Sequence, residues 1–268
     1  MSNILAIDVG GTKTLVASFN EKGEVVEKVK FPTPQEYSDF LSQLGATVKS
    51  LTINSFERCV MALPGVIDRE HGVLKECGNL PWEQKPVRHD VVELLGVGVT
   101  LENDSKLAAL SEASLLPTYR KVLYMTVSTG IGGGLVINGK LDPNSIDAEY
   151  GRMLLEHEGK LMLWEEFASG KAIVAKFGMR ASDITDPSTL YIIARNIAIG
   201  LIDVIAATTP DVVVIGGGVG SNFAKFGEQL ISELNIYADS LLRVPPVFGA
   251  KRAEEAVIYG CYILAKQR

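Results

Sequence analysis

The sequence predicts an α/β protein built from two related halves. Two observations carry this reading. Strand patterns followed by helix patterns run along the chain twice, restarting after Pro117. Three apolar strands end in glycine-rich turns, and two of these turns occupy equivalent places in the two halves. The length of 268 residues suits one large domain or two small ones and can bury a core without disulfide or metal staples.

The first half opens with three expected strands, Ile4 to Val9, Thr14 to Phe19 and Val25 to Phe31, separated by Gly10-Gly11 and by Asn20-Glu21-Lys22-Gly23. Pro34 opens a helix to about Lys49, with Phe40, Leu41, Leu44 and Val48 on one stripe. Cys59 to Leu63 is a short strand stopped by Pro64-Gly65. Pro86 starts a second helix through Leu95. Val97 to Leu101 is a strand, and Glu102-Asn103-Asp104 leads into a helix to about Leu116. In the second half, Val122 to Val127 and Gly132 to Ile137 are strands, and Asn138-Gly139 signals a hairpin. Helices are expected at about Leu163–Phe177 and Ser188–Ala207. A strand from Asp211 to Ile215 runs through Gly216-Gly217-Gly218 into a helix ending near Tyr237, and Ala253 to Lys266 is the last helix.

Composition narrows the classes. Apolar residues make up 47% and charged residues 22%, which excludes a disordered chain. The net charge is −6, with 26 basic against 32 acidic residues and no basic run, so no nucleic-acid partner is expected. Cys59, Cys77 and Cys261 lie far apart, which argues against a disulfide framework or a metal cluster and for buried thiols in a reducing compartment. Met1-Ser2-Asn3 has no basic flank of a signal peptide. The most apolar stretch, Tyr191 to Val219, is interrupted by Arg195, Asp203 and Thr208-Thr209-Pro210, so it reads as buried helix, turn and strand rather than a membrane span. A cytoplasmic protein without a membrane partner is expected.

The glycine turns suggest an anion. Asp8-Val9-Gly10-Gly11-Thr12-Lys13, Ser128-Thr129-Gly130-Ile131-Gly132 and Gly216-Gly217-Gly218 could each turn backbone N–H groups inward as a phosphate nest, and Thr12 and Thr129 add hydroxyls. Any one turn could be a plain hairpin. Thr12 precedes Lys13 and a strand follows, so the first turn is not a Walker A loop. Ser221 stands where a dinucleotide fingerprint would need its last glycine.

These residues carry a family resemblance. Ala6-Ile7-Asp8-Val9-Gly10-Gly11-Thr12-Lys13-Thr14 resembles the first phosphate motif of the sugar kinase/Hsp70/actin superfamily, and more closely that of the ROK sugar kinases and repressors. Further matches follow in order: Ala62 to Asp68, Asn79-Leu80-Pro81-Trp82, Leu101 to Asp104, Thr129 to Gly134, Glu165 to Gly170 and Val213 to Gly218. The ordered set spans nearly the whole chain. It implies two ribonuclease-H-like, actin-like ATPase domains with ATP and sugar in a cleft between them. The expected domains are residues 1–117 with 253–268, and residues 118–252, the second binding nucleotide and making a homodimer.

The resemblance also implies roles. A sugar hydroxyl attacking a γ-phosphate is helped by a carboxylate that takes its proton. Asp104 is the candidate base, with Asn103 a sugar ligand; from sequence alone either residue could instead cap the helix. Asp8 could hold Mg²⁺ through water or cap its turn, and Lys13 could meet a phosphate or only solvent. The resemblance places Asn79, Asn103, Glu149 and Glu165 against sugar hydroxyls and lets Gly65 allow close approach. Gly10, Gly11, Thr12, Lys13, Thr129, Gly130, Gly132, Gly216, Gly217 and Gly218 would line the nucleotide. Trp82 is better read as core than as a stacking platform.

The chain departs from the family at one place. Ala148-Glu149-Tyr150-Gly151-Arg152 stands where the family has Gly-Glu-x-Gly-His before a zinc-binding cysteine cluster. No cysteine lies between Cys77 and Cys261, and the segment from Arg152 to Glu165 looks short. No structural zinc is expected, and Arg152 takes the sugar-side place of that His. Ser128 replaces a glycine. The expected activity is ATP-dependent phosphorylation of O6 of an aldohexose or 2-N-acyl hexosamine, glucose and N-acetylmannosamine leading. The alternatives are a sugar-sensing regulator, disfavoured because the phosphate motif begins at Ile4 and leaves no room for a helix-turn-helix, or a non-sugar ATPase of the superfamily.

Overall fold

The computed structural model describes residues 3–53, 55–238, 242–252 and 254–267. Met1 and Ser2 of the expected leaderless start, Ala253 at the expected start of the last helix, and Arg268 lie outside the described residues. The chain forms two compact units, Met1–Ser111 with Glu255–Arg268, and Glu112–Glu254.

Unit 1 begins with β1 (Ile4–Val9), β2 (Lys13–Phe19) and β3 (Val25–Pro32), an antiparallel meander. After α1 (Tyr37–Ser50) come β4 (Arg58–Leu63), the small hairpin β5 (Val66–Asp68) and β6 (Val73–Glu76), α2 (Val87–Leu95), β7 (Val99–Asn103) and α3 (Asp104–Ala113). The sheet order is β3-β2-β1-β4-β7, with β1, β4 and β7 parallel. Register pairs Asp8 with Ala62 and Leu63 with Asn103, so the carboxyl ends of three strands share one edge. Ligands of open α/β sheets bind at such an edge.

Unit 2 repeats the plan. β8 (Lys121–Val127), β9 (Ile131–Ile137) and β10 (Lys140–Leu141) form a meander, with Asn138 and Gly139 at positive φ in the expected hairpin turn. A second hairpin, β11 (Leu154–His157) and β12 (Lys160–Leu163), turns through Glu158 and Gly159, both at positive φ. Then come α4 (Trp164–Ala168), α5 (Gly170–Phe177), α6 (Pro187–Thr208), β13 (Val212–Gly216), α7 (Gly217–Gly220), α8 (Phe223–Tyr237) and β14 (Val247–Gly249). The sheet order, β10-β9-β8-β13-β14, matches that of unit 1 strand for strand. The chain ends in unit 1 with α9 (Ala256–Lys266).

Several expected elements shift for physical reasons. The helix expected from Pro34 starts at Tyr37, because the Gln35 carbonyl accepts the Trp82 indole N–H at 2.8 Å and Glu36 stays extended. Trp82 is buried against Phe40, a core residue. β7 reaches Asn103 rather than ending at Leu101, and α3 ends at Ala113 rather than near Leu116. The single helix expected over Leu163–Phe177 breaks at Ser169, whose Oγ accepts the Ala172 N–H and caps α5. The helix expected from Gly218 to Tyr237 breaks at Ser221-Asn222, and Asn222 Nδ2 donates back to the Gly218 carbonyl at 3.1 Å. The hairpins β5–β6 and β11–β12 were not expected at all.

The cores explain the apolar stretches. α6 is long and apolar enough to cross a membrane by length and composition, yet 61% of its most apolar window is buried. It is the core helix of unit 2. Trp164 packs on its Gly200 and donates its indole N–H to the Asn196 carbonyl, while the Asn196 amide donates to the Phe167 carbonyl. Cys59, Cys77 and Cys261 are buried free thiols. In unit 1, α9 packs on β1 and β4 and crosses α3 so closely that a Cβ at Gly260 would lie 2.0 Å from the Leu107 carbonyl oxygen. Backbone cannot yield as a flexible side chain does. Gly260→Ala should therefore cost about 3 kcal/mol of overpacking strain, read as a Tm lowered by roughly 6–12 °C in thermal denaturation.

Candidate active site

In unit 1, the β1–β2 turn is built before any ligand arrives. The Gly10 N–H donates to the Lys13 carbonyl at 2.9 Å, and Thr33 Oγ1 donates to the Gly10 carbonyl at 2.7 Å. The Thr33 N–H donates to the Thr12 carbonyl, and Thr14 and Thr33 hydroxyls pair at 2.9 Å in the interior. Thr12 and Lys13 are exposed at the tip. Asn79 lies over the turn: a Cβ on Gly11 would fall 2.7 Å from Asn79 Cβ. A residue expected on the sugar and one expected on the phosphate are thus neighbours.

Asp8 and Asp104 come to the same edge. Asp8 is the last residue but one of β1, and Asp104 is the first residue of α3, directly after β7. Asn103 and Asp104 both reach the start of α3: Asn103 Oδ1 accepts the Ser105 N–H at 3.0 Å and the Ser105 hydroxyl at 2.6 Å, and Asp104 Oδ1 accepts the same N–H at 2.7 Å. The Asn103 amide donates to the Gly65 carbonyl at 3.3 Å. Gly65 has φ +92°, and a Cβ there would lie 2.1 Å from the Glu76 carbonyl oxygen, so only glycine fits this approach. The Asp8 carboxyl is pushed from an ordinary 3.8 up to about 7, first by burial and then by the charge of Asp104, with Lys30 opposing.

Unit 2 holds the other two glycine turns together. Ser128, Thr129, Lys171, Arg180 and Gly218 line a cavity of about 800 Å³. The break at Ser169 serves this cavity: the Gly170 N–H, opening α5, donates to the Ser128 carbonyl at 2.6 Å, and a Cβ on Gly170 would lie 2.6 Å from that oxygen. Gly216 and Gly217 pack on Tyr124 and Thr126 of β8 rather than on open space. Lys171 and Arg180 were not singled out from sequence; neither lies in a motif.

The unit 2 residues expected on sugar are spread along one segment. Glu149 precedes a 3₁₀ turn over Tyr150–Arg152, and Gly151 packs against the Ile131 carbonyl. Glu165 opens α4, and its Oε2 lies 2.7 Å from the Cβ position of Gly130 and accepts the Ile131 N–H at 3.3 Å. The structure thus sets Glu165 on the second glycine turn, beside Gly130 and near Gly132. The short segment between Arg152 and Glu165 is the β11–β12 hairpin, where His157 stacks on Phe167 with ring centroids 4.1 Å apart. Among the described residues, no three or more His, Cys, Asp or Glu side chains gather as a metal site.

Two copies of one mixed five-strand sheet, each ending its first hairpin in a glycine turn, define the sugar kinase/actin class of α/β fold. The chain belongs to the ROK family, whose model matches residues 4–268. It is 28% identical to a glucokinase from Streptomyces coelicolor over 68% of this chain and 61% of that protein, so the match spans less than two thirds of that relative's length. It is 28% identical to an N-acetyl-D-glucosamine kinase from Haemophilus influenzae, over 96% of this chain and 97% of the relative. Its fold matches a ROK glucokinase from Streptomyces griseus, solved with glucose and AMPPNP, with a TM-score of 0.85 at 21% identity over the full length of both chains.

The raised Asp8 carboxyl has a consequence for stability. A carboxyl that titrates near 7 when folded and near 3.8 when unfolded favours the folded state only while protonated, so stability is lost as pH rises through that window. Asp8→Asn removes the penalty. With EDTA present, its Tm should exceed wild type by roughly 2–8 °C at pH 8, and the difference should vanish below about pH 4. An equal difference at both pH values contradicts the assignment.

Proposed function

We propose that this protein is an ATP-dependent hexose kinase that phosphorylates the 6-hydroxyl of glucose or of a 2-acetamido hexose. The observation that carries the reading is the edge of the unit 1 sheet. It gathers a carboxylate next to Asn103, a second carboxylate under its field at Asp8, and a preformed glycine turn at Gly10–Thr12. The nucleotide cavity of unit 2, between its two glycine turns, agrees with a nucleoside triphosphate donor, and the related Streptomyces griseus fold binds AMPPNP.

Each side chain then has a task. Asp104 accepts the proton of the sugar hydroxyl as its oxygen attacks the γ-phosphorus. Asn103 donates its remaining amide hydrogen to one of the other hydroxyls, Asn79 donates and accepts at them, and Gly65 keeps the approach open. The Gly10–Thr12 turn, with Lys13, and the Thr129–Gly132 turn offer N–H, hydroxyl and ammonium donors to phosphate oxygens. Asp8, whose carboxyl is lifted to about 7 by burial and then by the charge of Asp104, fits a divalent cation, which it would hold through water. Magnesium, when bound, neutralises phosphate charge. Glu149, Arg152 and Glu165 serve sugar recognition from unit 2, with Gly216, Gly217 and Gly218 backing the nucleotide. Arg152 offers donors where a neutral imidazole could also accept, which suits an acyl oxygen at C2 as well as a hydroxyl. Discrimination at a single substituent can be as little as about 1–3 kcal/mol, so turnover of both sugar types is expected.

A coupled assay with ATP, Mg²⁺ and glucose, mannose, N-acetylglucosamine and N-acetylmannosamine tests this. We expect at least one sugar 6-phosphate as product; none from any sugar overturns the reading. Asp104→Asn should keep sugar and nucleotide binding and lower kcat by about 10²–10⁴-fold. Retention of more than about a tenth of kcat makes Asp104 structural rather than a base.

A further inference from the structure

The β5–β6 hairpin is tied to the end of β7 by one ion pair. Arg69, in the hairpin turn, donates Nε to both oxygens of Glu102, at 3.1 and 2.9 Å, and Nη2 to Oε1 at 2.6 Å. The Glu102 side chain is 3% exposed and that of Arg69 is 23% exposed. Glu102 Oε1 also accepts the backbone N–H of Asn103 at 2.7 Å. The hairpin turn is braced from behind, since Arg88 of α2 donates to the Arg69 carbonyl and, at 3.0 Å, to the Glu70 carbonyl. A Cβ on Gly72 would lie 2.5 Å from Arg88 Cβ.

This chain of contacts converges on Asn103. Its N–H goes to Glu102, its Oδ1 to Ser105, and one Nδ2 hydrogen to the Gly65 carbonyl, at the root of the same hairpin. The second Nδ2 hydrogen is left to donate. A buried carboxylate is costly, and here it is held bidentately and shared with the backbone of the residue beside Asp104. An apolar pair of the same volume would fill that place at no electrostatic cost. The rigid guanidinium fork supplies orientation, which an apolar pair cannot.

We propose that Arg69 and Glu102 are a positioning pair, which sets the Asn103 amide and the Asp104 carboxylate in the geometry that sugar phosphorylation needs. The inference rests on the kinase reading. Neither residue touches the substrate; both act through Asn103. Loss of the clamp displaces the β7–α3 junction, and a displacement near 1 Å can cost about 10²-fold in turnover.

The test separates positioning from stability. Arg69→Met leaves the Glu102 charge buried and unpaired, so it should be both unstable and slow. Arg69→Met with Glu102→Gln removes that charge, keeps an acceptor for the Asn103 N–H and should regain most of the lost Tm. It should still show sugar kcat/KM lowered about 10- to 100-fold, with the KM for ATP within about twofold of wild type. Arg69→Lys, keeping charge without the fork, should also fall short of wild type. A double variant with wild-type sugar kcat/KM overturns the proposal. A second readout does not depend on turnover: the Asn103 side-chain amide protons, followed by NMR, should lose exchange protection in the double variant, and unchanged protection also overturns it. If the wild-type protein phosphorylates no sugar, yet the double variant loses this protection, the kinase reading is refuted and the clamp stands.

Discussion

Two like charges brought together at one sheet edge organise this molecule. Asp8 lies one residue before the end of β1 and Asp104 follows β7, and with β4 between them both stand at the carboxyl ends of parallel strands. Both side chains are half-buried, and the Asp8 carboxyl rises to about 7, first through desolvation and then through the charge of Asp104. Around this tension the rest of unit 1 makes sense. Asn103 and Asp104 share the Ser105 N–H at the helix start. The glycine turn after Asp8 is held by its own hydrogen bonds, from the Gly10 N–H to the Lys13 carbonyl and from Thr33 Oγ1 to the Gly10 carbonyl.

In each unit a short hairpin holds a segment that carries candidate site residues. In unit 1, β5–β6 brings Gly65 to the Asn103 amide and Arg69 to Glu102. In unit 2, β11–β12 occupies the short segment between Arg152 and Glu165, and its packing comes from side chains. His157 stacks on Phe167, and the Trp164 N–H donates to the Met153 carbonyl at 2.8 Å. The same segment delivers Glu165 to the second glycine turn. Rings and backbone hydrogen bonds thus fix a segment that carries predicted sugar ligands at both of its ends.

What the sequence made legible follows from signal strength. β1, β2 and β3 were readable because apolar runs are bounded by glycine and asparagine turns, and Asn138-Gly139 announced its hairpin. β5–β6 was not, because strands of three and four residues carry no period. β11–β12 was hidden because its turn is Glu158-Gly159, and glutamate is a poor marker of a positive-φ position. The break at Ser169 inside an apolar pattern could have been suspected from Ser-Gly. At the site, Asp8, Asn103 and Asp104 were named from motifs, and the fold sets them on one edge. Arg69, Glu102, Lys171 and Arg180 were missed because a charged residue in sequence looks like surface, and only three-dimensional placement reveals Glu102 as buried.

The account turns on Asp8 and Asp104 sharing one electrostatic field. NMR titration of the Asp8 carboxyl carbon in the metal-free protein, in wild type and in Asp104→Asn, measures that field directly. The account predicts a midpoint near 7 in wild type and a clearly lower midpoint once the Asp104 charge is removed. A midpoint that stays where it was in the variant, or an ordinary carboxyl midpoint in wild type, would contradict it.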